Sequence, residues 1–233
     1  MWGTVVNALA IILGSLAGLL VGKHLTNNLK DTLEKAVSLG VILVGVQMAI
    51  KSENILIVLL SLVIGGAIGE TLDIEKRLAI FATKAEKLFN SSGDGQFAKG
   101  FVTSTLVYCV GAMAIIGSLE GGLTGVYKTL YAKSILDGIS SIVFASTLGV
   151  GVLFSSVSVF VYQGLITVFA GVLKVYLTNK AITEMTATGG LLILGIALRM
   201  MKVVEIRVGN LLPALVVAVL LSLWLEYYAI FAR

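Results

Sequence analysis

Residues 138–173 read GISSIVFASTLGVGVLFSSVSVFVYQGLITVFAGVL, 36 positions without a charged side chain. As one helix this run would be roughly 54 Å long at about 1.5 Å per residue, against a hydrocarbon core of about 30 Å. A single crossing cannot use that length, so the run is a hairpin of two membrane helices. Small polar residues suit a tight connection, and Ser155-Ser156 is the expected turn.

Outward from this run, charge-free windows recur at 1–22, 36–50, 54–69, 100–119, 185–198 and 208–225. With the hairpin counted as two, the chain has eight spans, near 3–22, 36–51, 54–70, 100–119, 135–154, 157–177, 186–202 and 210–230. A seven-span count is the alternative and would put the two termini on opposite sides. The expected fold is an all-α polytopic membrane protein, a single membrane domain over 1–233. Composition agrees: of 233 residues, 58% are hydrophobic and 13% charged, too little polar surface for a water-soluble fold. The first charge is Lys23, so 1–22 reads as an uncleaved first span and not as a signal peptide with a basic start.

The net charge of +4 belongs to topology and lipid contact, not to nucleic acid. With the N-terminus outside, eleven Lys and Arg fall in inner loops and six in outer segments, which favours that orientation. In 73–90, Ile74, Leu78, Phe81, Ala85 and Leu88 form an apolar stripe opposite Glu75, Lys76, Lys84 and Lys87. This predicts an amphipathic interfacial helix, either a structural element or a docking surface.

The two ends of the chain resemble each other. Glu34, Gly40 and Gly45 recur as Glu184, Gly190 and Gly195; Asn54 and Glu70 recur as Asn210 and Glu226. Five crossings separate the starts of the copies, so the second runs inverted. The expectation is two inverted three-helix repeats, 1–78 and 155–233, flanking a central helix pair over 97–154. Glycines at Gly14, Gly18, Gly22, Gly45, Gly65 and Gly69 suit close helix packing, within the bundle or in a homo-oligomer.

Ionisable groups at membrane depth are the site candidates, because burying charge in lipid is costly. Asp137 leads, with Lys133, Ser134, Ser140 and Ser141 within about one turn on the same helix. Glu120 closes the preceding span on the same side. The group is either a salt-bridge cluster that fixes the hairpin or an ion or proton site. Asn7, Gln47 and Gln163 are amides within spans, able to bond between helices or to a solute. No metal site or cofactor is expected. His24 is the lone histidine, and residues 17–24 imitate a phosphate loop without its strand–loop–helix setting. No base stands by a serine, so no enzyme is expected.

The central segment carries a pattern: Tyr108-Cys109-Val110-Gly111-Ala112-Met113-Ala114 with Gly117-Ser118-x-Glu120, then Lys133-Ser134-x-x-Asp137-Gly138. It resembles the YqgA/YdfK family of bacterial inner-membrane proteins, a domain of unknown function, over essentially the whole chain. Ala112 stands where the family pattern has proline, which puts a local kink in doubt. The resemblance implies a bacterial plasma membrane and brings no substrate. Two function classes fit the residues: a transporter or channel for a small ion or polar solute, or a non-transporting membrane scaffold.

Overall fold

The computed structural model describes residues 1–77, 80 and 96–231. Helices dominate, and no strand occurs among the described residues. In order they are α1 (Trp2–Gly22), α2 (Asn27–Ala49), α3 (Ile55–Leu72), α4 (Gln96–Cys109), α5 (Ala112–Thr124), α6 (Lys128–Leu148), α7 (Gly151–Val168), α8 (Ala170–Tyr176), α9 (Asn179–Met200) and α10 (Pro213–Phe231), with a 3-10 turn at Val208–Leu211 before α10.

Six helices are long and apolar enough to cross a membrane, and the α4–α5 pair, bent by 59°, makes a seventh. The polar α6 has matching length, with 21 residues. The amphipathic helix expected over 73–90 lies, apart from helical residues 74–77, outside the described residues.

Two compact units divide the chain. The first holds Met1–Gly40 with Leu78–Gly171, and the second Val41–Arg77 with Val172–Arg233.

In the first unit α1 lies along α6, and glycine sets the separation. A methyl carbon on Gly14 would stand 2.2 Å from the Gly138 carbonyl oxygen, and one on Gly18 would stand 2.3 Å from that of Ile142. Gly3 faces Leu130 and Gly22 faces Ser146, so the two helices run parallel along their whole length. α6 lies along all of α1 but is not among the helices apolar enough to count as spans, so the described residues give six, or seven with the bent pair, against the eight expected.

The expected turn at Ser155-Ser156 is corrected. Both serines are buried inside α7, where they donate to the carbonyls of Val152 and Leu153, each at 2.6 Å. The chain turns instead at Gly149, whose φ of 79° is a left-handed conformation that glycine adopts freely. Gly151 follows against the Phe97 backbone, where a side chain would not fit (2.1 Å to the carbonyl oxygen).

α4–α5 runs beside α7 in the same direction. Phe97 meets Gly151 at one end, and Gly122 meets Thr167 at the other. Both ends of a membrane-length helix are reached, so the bent pair is a broken span and not a re-entrant loop. Its break at Val110-Gly111 forms without a proline, with Ala112 opening α5.

In the second unit α3 packs antiparallel to α10. Cβ atoms on Gly65 and Gly69 would fall 2.3 Å from the Ala214 nitrogen and 1.8 Å from the Asn210 oxygen. Gly45 rests on α9 at Gly190. Helices extend past the hydrophobic windows here: α9 starts at Asn179 and carries Glu184, only 2% exposed. Its carboxylate accepts from Ser52 Oγ (2.7 Å) and from the backbone N–H groups of Glu53 (2.8 Å) and Asn54 (2.9 Å), closing the α2–α3 turn. Asn54 then caps α3 by accepting from the Leu56 N–H.

Gly18→Ala should lower the melting temperature in detergent, since overpacking costs about 1–3 kcal/mol. Gly40→Ala meets no atom within 4 Å and should raise it, as alanine is the better helix former by about 1 kcal/mol. Equal shifts in the two variants would refute the packing account.

Candidate functional site

The polar centre of the first unit is an ion pair inside α6. Lys133 Nζ lies 2.8 Å from both carboxylate oxygens of Asp137, one turn away on the same helix. Both residues are buried, at 7% and 5% exposure. An unpaired charge in such surroundings would be expensive, and the pair neutralises itself locally.

Other helices complete the cluster. Asn7 of α1 donates from Nδ2 to Asp137 (3.0 Å) and to Gln163 Oε1 of α7 (3.3 Å). Tyr108, at the end of α4, shares a hydrogen bond with Ser141 (2.9 Å). Its ring stacks on Phe144 at 6.0 Å, and Lys133 Nζ lies 5.9 Å from its centroid. That distance suits a cation–π contact. One group of side chains thus ties α1, α4, α6 and α7 together.

The break of the fourth span adjoins this cluster, two residues beyond Tyr108. Gly111 gives α5 no side-chain cap, and the Ala114 N–H turns back to the Gly111 carbonyl (3.0 Å). Irregular backbone at this depth is tolerated only in protein surroundings or along a polar cavity.

The residues singled out in the sequence fall into two groups. Asp137, Lys133 and Ser141 are in the cluster, and the buried Ser134 bonds back to the Leu130 carbonyl (2.7 Å). Ser140 is half-buried and outside the cluster's bonds. Glu120 accepts from Thr129 Oγ1 (2.8 Å) and braces the α5–α6 turn without touching Asp137. Gln47 is exposed on the second-unit part of α2, so its reading as a buried amide is corrected. Among the described residues no cluster of His, Cys, Asp and Glu is arranged to hold a metal ion. The role of Tyr108 has no local sequence signal, because its partners lie on another helix.

The model of a family described as a protein of unknown function, DUF554, matches residues 2–223. The chain belongs to the DUF554 family. It is 33% identical over 221 residues to the uncharacterized membrane protein YdfK of Bacillus subtilis (strain 168), covering 93% of each chain. It is 29% identical over 232 residues to the uncharacterized protein YqgA of Escherichia coli (strain K12), covering 97% of this chain and 99% of that one. No solved structure matches. Family membership agrees with the resemblance carried by the central motif, and this chain's Lys133-Ser134-x-x-Asp137-Gly138 is the segment that forms the buried pair.

Asp137→Asn or Lys133→Met alone should each cost about 3–5 kcal/mol, because one charge or its proton is left without its partner. The double variant should recover most of that loss. Thermal unfolding of the four proteins in nanodiscs closes the cycle, and strictly additive losses would show that the pair contributes no coupling.

Proposed function

We propose that the chain is a transporter or channel for a small ion or polar solute, and that the first unit carries the path. The observation that supports this most is the buried Asp137–Lys133 pair, cross-linked to three other helices beside a broken span. Ionisable groups within the membrane are characteristic of ion and proton pathways, and discontinuous helices of transport sites.

In this reading Lys133 is a tethered cation. Its ammonium occupies the position at Asp137 that a permeating cation would take. Protonation of Asp137, or a cation that displaces Lys133, breaks the pair. Lys133 can then rest against the Tyr108 ring, and Asn7 remains as the polar partner of Asp137. Phe144, stacked on Tyr108, lies on the side of the pair away from the N-terminus of α1. No catalytic chemistry is assigned to the chain.

The membrane we assign is the bacterial plasma membrane, with the N-terminus outside on the charge bias of the loops. In this reading 1–78 and 155–233 are inverted repeats, the architecture on which an alternating-access scheme would rest.

Proteoliposomes loaded with a pH-sensitive dye and driven by a potassium diffusion potential provide the test. Wild-type protein should carry a proton or cation current, and Asp137→Asn should reduce it at least tenfold while the protein remains folded. Undiminished flux in that variant would remove Asp137 from the path. No flux from wild-type protein under any imposed gradient would favour the scaffold reading.

A further inference from the structure

Most hydroxyls on these helices satisfy themselves. Ser104, Ser134, Thr147, Ser155, Ser156, Thr188 and Ser222 all donate to carbonyls three or four residues earlier. Side-chain atoms of seven residues of the first unit depart from that habit; two of them, Ser15 Oγ on α1 and Thr105 Oγ1 on α4, stand apart from the other five. Thr4 Oγ1, Asn7 Oδ1, Ser118 Oγ, Gln163 Nε2 and Thr167 Oγ1 have no hydrogen-bond partner, and each residue is at most 6% exposed.

These five fall in register. Gly122 packs on the Thr167 carbonyl, and α5 runs parallel to α7. Four residues earlier on each helix, Ser118 therefore comes level with Gln163. Asn7 bonds Gln163, and α1 runs antiparallel to α7. Thr4, one turn before Asn7, therefore comes level with Thr167, one turn beyond Gln163. Two polar rungs result: Thr4 with Thr167, then Asn7 with Gln163 and Ser118. The second rung ends on Asp137, through the 3.0 Å bond from Asn7.

The amide orientations are fixed by these contacts. Turning Asn7 would set its oxygen against the Asp137 carboxylate, and turning Gln163 would set two NH₂ groups face to face. The unpaired acceptor and the unpaired donor are therefore properties of the site.

We infer that these five side chains form a hydrated column, and that water fills it from the end of the bundle where α1 begins to the Asp137–Lys133 pair. The lining is uncharged, and it offers donors and acceptors within one turn of each other, the polar partners that a chain of water molecules needs. A dry column would leave five polar groups desolvated with nothing in return. The column is the proton entry to Asp137, an assignment that rests on the transport reading. Its hydration does not.

Single cysteines at Thr4, Ser118 and Thr167, in full-length Cys109→Ser protein in proteoliposomes, test the column with a hydrophilic methanethiosulfonate. The control is Val168→Cys, next to Thr167 and 62% exposed on the outer surface of the bundle. Thiolate forms only where water reaches, so the three column sites should react at least tenfold faster than the control. Rates equal to or below the control would overturn the column.

Where a cysteine variant fails to fold, Thr4→Val and Thr167→Val decide the question. A dry site gains from losing an unpaired hydroxyl, so a raised melting temperature counts against the column. A lowered or unchanged one supports it. Fast labelling with undiminished Asp137→Asn flux would keep the column and remove the transport role of Asp137. Slow labelling with lost flux would do the reverse.

Discussion

The first unit depends on how closely the α1 backbone approaches α6. Lipid tails are as apolar as leucine, so no hydrophobic force presses two membrane helices together, and packing must hold them. At Gly14 and Gly18 a single added carbon would collide with an α6 carbonyl oxygen. That approach brings Asn7, a short side chain, within 3.0 Å of Asp137. The glycine stripe and the polar cluster are therefore one device, since a wider helix pair would leave the carboxylate with Lys133 alone.

Two buried carboxylates show how differently the same group can be used. Glu184 receives three donors from one turn, two of them backbone N–H groups, and acts as a fixed cap on the α2–α3 connection. Backbone donors cannot move away without unfolding the turn. Asp137 receives only side chains: a lysine with rotatable methylenes and an amide shared with Gln163. Its partners can exchange while the helices stay in place. Movable partners are what a binding or relay site requires, and this difference separates the two acids better than depth of burial, which they share.

Much of this was legible in the sequence where the signal is local. Charge-free windows mark the spans, and Lys133 and Asp137 at a four-residue spacing announce a pair on one helical face. Gly14, Gly18 and Gly22 announce a close-packed one. What escaped is long-range or depends on solvent. In water, Ser155-Ser156 would compete for turn geometry; in an apolar helix both hydroxyls bond back to the previous turn and the helix continues. The turn therefore falls to Gly149, where backbone conformation rather than polarity decides. Glu184 lies at the edge of a hydrophobic window and reads as a loop charge, because its donors at residues 52–54 come from the far end of the chain. Gln47 fails for the opposite reason: position within a span says nothing about which face an amide occupies.

The position of the break in the fourth span follows from the same need for partners. Ending α4 at Cys109 frees its last carbonyls, and starting α5 at Ala112 leaves its first N–H groups without a side-chain cap. In lipid this would be intolerable, and proline is not present to force it. The break lies instead beside Tyr108, on the helix end that faces Ser141 and Lys133. A continuous helix through 110–111 would satisfy its own backbone and leave no free groups at the cluster. α4 meets the end of α6 at Leu148, and α5, beyond the 59° bend, meets the start of α6 at Leu130. Across the break the α4–α5 pair holds both ends of α6 and places Tyr108 at the ion pair, with the irregular backbone set against that cluster.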